Sequence, residues 1–471
     1  MSGQRYEIGL VGLGVMGRNL LLNMADHGYA VAGFDKDPAK VKSLAAESAG
    51  RNIRGTKNIE EYLSLLKSPR AIIMLVPAGP PVDDVIRDLL PYMKANDILI
   101  DCGNSHFTDT NLRQKTLARA GIRLLGVGVS GGEHGARHGL SIMPGGQPEA
   151  YERVRPLFEA VAARVQKEPC VAYLGPGSAG HFVKMVHNGI EYGLMELIAE
   201  TYDLLKRGIG LTDDELAEIY ERWNEHIFHS YLLEITGHIF CHVDEKTGKR
   251  LIDVILDEAR QKGTGKWMSQ TAMDLQVPVP VVDAAVSTRD ISGYKAEREA
   301  ASRALTGPSV AFQGKREVFI DGLERALQAA FIITYAQGMA ILRKASDAYG
   351  YNLNLADVAR IWRGGCIIRA AVLEDIRAGY QNRPDLSHLF MDPRLGRQVA
   401  ACQHDLRGMV CSAANLGIPA SGMMAALAYF DSYRSAWMPT SLIQAQRDYF
   451  GAHTYERVDE KGVFHTKWEE D

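Results

Sequence analysis

A short apolar run at residues 6–11 leads into Gly12-Leu-Gly14-Val-Met-Gly17 and then into an amphipathic stretch at 18–27. No other feature restricts the fold of this chain as tightly. Three glycines at this spacing, between a strand and a helix, mark the first turn of a dinucleotide-binding βαβ unit. The first two permit a tight turn and close approach to a pyrophosphate, and the third lets the helix pack on the strand. Asp35 ends the second strand, 30–34, about 20 residues beyond the turn, where a carboxylate meets a ribose 2′-hydroxyl.

Further strands are predicted at 71–76, 98–101 and 123–129, separated by helical patterns such as 82–90 and 112–120. This alternation predicts a parallel, doubly wound sheet. A chain of 471 residues is too long for one core. After Gly175-Pro-Gly177-Ser the pattern changes: a long helix is predicted from about Ala179 to Arg207, with Gly208 as its stop, and Thr212-Asp-Asp-Glu215 is a capping box for the next. Helical periodicity persists to about residue 440. The expected division is a Rossmann domain at 1–177, an all-helical domain at 178–440, and a polar tail at 441–471 ending in Lys467-Trp-Glu-Glu-Asp471. Such a tail is expected to reach a partner subunit rather than its own core.

Basic and acidic residues nearly balance, 53 against 57, which offers no reason to expect nucleic acid or an anionic membrane as partner. The apolar stretches are far shorter than a membrane span. The first strand follows the N-terminus too closely to leave room for a signal peptide. Six scattered cysteines without a C-x-x-C pair fit reduced thiols, so a cytoplasmic enzyme is expected.

The densest chemistry lies at 181–192, His-Phe-Val-Lys-Met-Val-His-Asn-Gly-Ile-Glu-Tyr. On a helix, Lys184, His187, Asn188 and Glu191 fall within an arc of about 100°. An ordinary amphipathic helix would present that stripe to solvent; under a substrate it becomes a proton-handling surface. A lysine begins near pKa 10.4, so service as a base near pH 7 requires a drop of roughly 3 units, about 4 kcal/mol. Desolvation with nearby cationic groups supplies such a shift, and solvent exposure does not.

Ser130-Gly-Gly-Glu-His-Gly-Ala-Arg-His-Gly139 follows a strand, and its consecutive glycines Gly131 and Gly132 present backbone N–H groups suited to a carboxylate or phosphate. Gly263-Thr-Gly265-Lys266 resembles a phosphate loop in spelling only: Arg260 stands where glycine is needed and Trp267 where a magnesium-binding hydroxyl is needed. Lys266 remains a point charge for a phosphate. His226, His229, His238, Cys241 and His242 cluster without a recognised ligand spacing, so no metal is expected.

Together these motifs resemble the 6-phosphogluconate dehydrogenase family over nearly the whole chain. The resemblance rests on the N-terminal glycine turn, Ser130-Gly-Gly-Glu-x-Gly-Ala-Arg137 and the helix from Gly180 to Gly193. It extends to Lys266-Trp267, Trp362-Arg-Gly-Gly-Cys-Ile-Ile-Arg369 and Gln444-Ala-Gln-Arg-Asp-Tyr-Phe-Gly-Ala-His453. It implies a Rossmann domain, a large helical domain with internal duplication, and a tail threading into the second subunit of a homodimer. It also implies oxidative decarboxylation of 6-phosphogluconate to ribulose 5-phosphate and CO2, a pentose phosphate and gluconate-utilisation step, without metal. By resemblance, Lys184 takes and returns the C3 hydroxyl proton and Glu191 protonates C1 of the enediol. His187 and Asn188 orient hydroxyls, and Ser130, Gly131 and Gly132 hold the carboxylate end. Tyr192, Lys266 and Arg289 lie on the phosphate side, Arg447 and His453 come from the neighbouring subunit, and Asn104 stands between cofactor and substrate. The cofactor set is Gly12, Leu13, Gly14, Val15, Met16, Gly17, Asp35, Lys36, Asp37, Pro77, Ala78, Gly79 and Asn104.

The chain departs from the family pattern in places. Leu194 replaces an aspartate, and His134 and His138 replace glutamate and tyrosine. Phe34-Asp35-Lys36-Asp37 replaces the Asn-Arg-Thr of NADP users, and Pro77 replaces a lysine. The 2′-phosphate pocket has lost positive charge, so NAD is expected in preference to NADP, with Lys36 leaving NADP usable. Two alternatives stand beside this reading: a β-hydroxyacid dehydrogenase for a smaller substrate, and a catalytically silent nucleotide sensor.

Overall fold

The computed structural model describes residues 5–308 and 310–468. Its N-terminal sheet contains β1 (Ile8–Val11), β2 (Val31–Phe34), β3 (Ile53–Thr56), β4 (Ala71–Met74), β5 (Ile98–Asp101), β6 (Arg123–Ser130) and β7 (Ser141–Gly145). The order is β3-β2-β1-β4-β5-β6-β7, parallel except for β7, which pairs antiparallel with β6. Around the sheet lie α1 (Val15–Asp26), α2 (Pro38–Glu47), α3 (Ile59–Leu65), α4 (Pro80–Leu89), α5 (Phe107–Ala118), α6 (Gly132–His138) and α7 (Pro148–Val161). Helices on both faces explain why β1, β4 and β5 are buried along their whole length and read as unbroken apolar runs. Two strands escaped the sequence pattern. β3 is a half-exposed edge spelled Ile-Arg-Gly-Thr, and β7 contains proline and glycine. The helix expected at 112–120 begins earlier, at Phe107, because the His106 side chain accepts from the Thr108 N–H and caps it.

The remainder is helical: α8 (Ala179–Asp203), α9 (Asp213–Trp223), α10 (Tyr231–Cys241), α11 (Thr264–Asp274), α12 (Pro280–Ser292), α13 (Lys295–Ala304), α14 (Arg316–Tyr349), α15 (Leu355–Ile361), α16 (Val372–Asn382), α17 (Pro393–Leu416), α18 (Ser421–Tyr433) and α19 (Thr440–Gly451). The capping box of α9 forms: Thr212 Oγ1 accepts from the Glu215 N–H at 3.3 Å and Glu215 Oε2 from the Thr212 N–H at 2.7 Å. The long helix stays α-helical only to Asp203; Leu204–Gly208 continues it as a wider π turn.

α8 joins the two halves. A Cβ at Gly180 would run into the carbonyls of Met143 and Gly126, and a Cβ at Gly128 into the Lys184 side chain, so its first turns lie directly on β6 and β7. Further along, Gly189 admits Met268 of α11, and Ile190 fills the space left by Gly338 of α14. Phe182, Val183, Val186 and Ile190 are fully buried, each contributing about 1.5–3 kcal/mol from apolar burial. A second tie is Glu168, whose carboxylate receives Arg363 and Arg377 from the helical side. Those two guanidiniums, Arg377 foremost, hold it down to about 2.

The polar tail contains regular structure. Residues 440–451 form α19, yet among the described residues α19 packs extensively against no other element of its own chain, and none beyond Phe430 joins a hydrophobic core. Leu442, Ile443, Tyr449 and Phe450 are exposed. The final charged residues Glu469, Glu470 and Asp471 lie outside the described residues.

Candidate active site

The polar stripe of α8 is not a solvated face. Lys184 is 7% exposed, and His187 and Asn188 are buried beside it. Lys184 Nζ lies 3.5 Å from His187 Nδ1, which lies 3.2 Å from Asn188 Oδ1 and 3.7 Å from Glu191 Oε2. Burial lowers the Lys184 ammonium, with the Glu191 carboxylate pulling against it. Burial raises Glu191, opposed by Lys184 and Arg289. Burial, reinforced by the Lys184 charge, drives His187 well below the usual imidazole range, so its ring is neutral. An amine pushed toward its neutral form and a carboxyl pushed toward its protonated form thus stand on one helix, the pairing that general base and general acid work requires.

Ser130 ends β6 and Gly131 begins the turn into α6 with φ of 128°, a conformation suited to glycine. A Cβ there would crowd the carbonyl of Gly365, so the loop at 362–369 closes against the glycine turn. From that loop the Trp362 ring stands edge-on to His187, with centroids 5.8 Å apart. Ser130 Oγ and His187 Nε2 are buried and have no hydrogen-bond partner among the described residues. Buried polar atoms are costly when unpaired, so one beside Lys184 and one at the end of β6 are free to bond a ligand.

Past Glu191, Tyr192 carries the Arg289 guanidinium over its ring at 3.6 Å, and Gly265 at the start of α11 lies against the same ring. Lys266 is exposed on that first turn with no ion-pair partner among the described residues. Lys262, which the sequence reading passed over in favour of the phosphate-loop spelling, is exposed and unpaired just before it. Trp267 meets His106 edge-on at 5.0 Å, next to the exposed Asn104. Arg447 and His453 are both exposed on the tail and make no recorded contact with the Lys184 cluster of their own chain.

A cleft of about 440 Å³ opens at the ends of β1, β2 and β4, lined in part by Gly12, Gly14, Asp35, Lys36, Lys40 and Pro77. Gly17 packs against the carbonyl of Gly12 where a Cβ would collide, and a Cβ at Gly14 would meet open space. Gly14 precedes α1 without a side-chain cap, leaving helix N–H groups for a phosphate. The residues therefore fit a dinucleotide. Asp35 Oδ2 accepts from the Leu13 N–H at 2.8 Å and Oδ1 from the Asp37 N–H at 2.9 Å. Two expected members have side chains engaged in the fold: Leu13 is core and Asp37 caps α2 by accepting from the Ala39 N–H, while Gly79 precedes α4 with a positive φ of 84°. Val15 and Met16 do not line the cleft. Two ion pairs were not legible beforehand: Lys40 Nζ with Asp35 at 3.3 Å, and Lys36 Nζ with Asp88 at 2.6 Å.

Among the described residues no three His, Cys, Asp or Glu side chains gather as a metal site, and no helix is long and apolar enough to cross a membrane. A glycine-turn Rossmann sheet joined to a buried Lys–His–Asn–Glu helix defines a nicotinamide-dinucleotide oxidoreductase with its own acid and base. Comparison with known proteins narrows the class. Profiles described as the NAD binding domain of 6-phosphogluconate dehydrogenase and the 6-phosphogluconate dehydrogenase C-terminal domain match residues 7–175 and 180–468. The chain is similar to the NADP(+)-dependent, decarboxylating 6-phosphogluconate dehydrogenase of Bacillus subtilis, 49% identical over 98% of this chain and 99% of that one. The decarboxylating enzyme of Synechococcus elongatus is 48% identical over 98% and 99%. A solved Plasmodium falciparum 6-phosphogluconate dehydrogenase, studied with NADP+ and with 6-phosphogluconate, superposes with a TM-score of 0.94 at 41% identity, covering 98% of this chain and all of that one. The chain belongs to the decarboxylating 6-phosphogluconate dehydrogenase family.

Proposed function

We propose that this chain binds 6-phosphogluconate across α8, oxidises C3 and releases CO2 to leave ribulose 5-phosphate. The observation that carries this is the burial of Lys184, His187 and Asn188, with Glu191 half-buried, and two buried polar atoms, Ser130 Oγ and His187 Nε2, left unpaired among the described residues. A bound nicotinamide supplies the hydride acceptor. Neutral Lys184 takes the C3 hydroxyl proton as the carbonyl forms, and the resulting ammonium then protonates that oxygen as CO2 leaves. Glu191, whose burial favours its protonated form, delivers a proton to C1 of the enediol. His187, through its free Nε2, and Asn188 orient hydroxyls. Ser130, Gly131 and Gly132 take the carboxylate, and Asn104 stands between the two ligands. Tyr192, Arg289, Lys266 and Lys262 supply the phosphate end, where the excess of positive charge favours a phosphorylated substrate over a smaller hydroxyacid. No step calls for a metal.

Arg447 and His453 complete the site of the opposite subunit of a homodimer. Support comes from α19, which leaves its apolar side chains without a partner in its own chain. The functional units are 1–177, 178–440 and 441–471, and six free cysteines suit the cytoplasm. For the cofactor, the carboxylate of Asp35 favours NAD. Lys36 is drawn to Asp88 rather than left for a 2′-phosphate, while Lys40 beside Asp35 keeps NADP usable. Stoichiometric release of CO2 with nicotinamide reduction from 6-phosphogluconate tests the reading; reduction without CO2 would replace it by a simple hydroxyacid dehydrogenase.

A further inference from the structure

The tail contains one buried carboxylate that no core explains. Asp448, on the last turn of α19, has no side-chain exposure although the helix around it is exposed. Its Oδ1 accepts from the Thr454 N–H and from His465 Nδ1, each at 2.9 Å. Its Oδ2 accepts from the Thr466 N–H at 3.0 Å and from Trp468 Nε1 at 2.9 Å. Four donors on two oxygens nearly saturate a carboxylate. Tyr455 and Phe464 pair through two backbone hydrogen bonds of 2.8 Å, which folds residues 455–464 back into a small hairpin over the helix end.

Between the carboxylate and that hairpin runs a strained connection: Ala452 and Thr454 both have positive φ, 49° and 61°. Non-glycine residues hold this conformation only when their surroundings impose it. The Thr454 N–H bond to Asp448 imposes it here, and His453 sits between the two strained residues. Arg447 immediately precedes Asp448. We propose that Asp448 is a positioning residue, which locks the tail into a preformed hook and so aims Arg447 and His453 before the hook meets the other subunit. Preorganisation of this kind removes ordering cost from binding. The inference rests on the shared-site reading above.

Three variants of the full-length dimer test it: Arg447→Ala, Asp448→Asn and Trp468→Phe. Asn keeps the shape but turns an N–H pair toward two donors, and Phe removes one donor while keeping a ring. Asp448→Asn is expected to raise KM for 6-phosphogluconate by on the order of tenfold, with unchanged dimer mass and unchanged KM for the cofactor. Trp468→Phe is expected to move KM the same way by roughly two- to threefold. A wild-type KM in Asp448→Asn, while Arg447→Ala is impaired, would overturn the hook alone; a wild-type KM in Arg447→Ala would overturn the shared site itself. Dissociation of Asp448→Asn into monomers would also overturn the proposal, since the carboxylate would then hold subunits together rather than aim side chains.

Discussion

Lys184 Nζ and His187 Nδ1 face each other at 3.5 Å with both groups buried. Two cations cannot share that space, and the charge each would carry suppresses the other's. The Asn188 amide oxygen, 3.2 Å from the same ring nitrogen, favours a proton on Nδ1 and leaves Nε2 as an acceptor for a hydroxyl. The lysine thus helps keep the imidazole neutral, and the neutral ring presents an acceptor to the substrate.

Replacing Lys184 by Met removes the base while keeping the packing of its stem against Gly128. Turnover is expected to fall by roughly a hundred- to ten-thousand-fold with KM for 6-phosphogluconate little changed, as for a group that acts mainly in the transition state. Retention of wild-type kcat would remove Lys184 from its role.

Glu191 supports protonation of Lys184, because its carboxylate raises the lysine against the pull of burial. In Glu191→Gln that support is gone, so Lys184 loses its proton more readily. The rising acid limb of the pH profile for nicotinamide reduction is expected to move to lower pH. An unmoved acid limb would show that the two groups are not coupled.

At the cofactor cleft, Asp35→Asn removes a charge that would repel a 2′-phosphate at hydrogen-bond range, while Lys40 remains beside it. The ratio of kcat/KM for NADP over NAD is expected to rise by about tenfold or more. Higher wild-type efficiency with NADP, measured at saturating 6-phosphogluconate, would overturn the stated preference.

Mixing two inactive chains, Lys184→Met and Arg447→Ala, is expected to restore activity in hybrid dimers, because one of the two sites then receives both intact contributions. Hybrid dimers isolated by differential tags and found inactive would count against shared sites.

His388 is buried and hydrogen-bonded to Tyr429 at 2.9 Å, and burial lowers it to about 4. The unfolded chain takes up this proton near pH 6.5 and the folded one only near 4, so its contribution to stability is complete above 6.5 and declines as pH falls through that window. The shift corresponds to about 3 kcal/mol. Denaturant midpoints measured from pH 7 to pH 4 are expected to fall less steeply in His388→Gln than in the wild type.

The sheet, the glycine turn and the polar stripe of α8 were legible because each is written in nearby residues. Gly12, Gly14 and Gly17 announce a turn, and Lys184, His187, Asn188 and Glu191 announce a face. What stayed hidden depends on residues distant in sequence. Trp362 reaches His187 only through the closure of Gly365 on Gly131, and Lys36 is drawn to Asp88 only once α4 lies beside β2. At the tail the polar composition hid a helix, because the apolar residues of α19 are exposed and make no inward-facing pattern for the core of their own chain.

The 25 residues of α8 span about 37 Å as one uninterrupted rod. Its first turns are wedged on the sheet and its later ones among α11 and α14, with Lys184 and Glu191 roughly two turns apart between the two anchorages. Such a beam has no joint at which the halves can swing. The offset between Lys184 and Glu191 is therefore set by helical pitch, and cutting the gene where the sequence changes texture, near residue 178, would sever Lys184 from the sheet on which it stands.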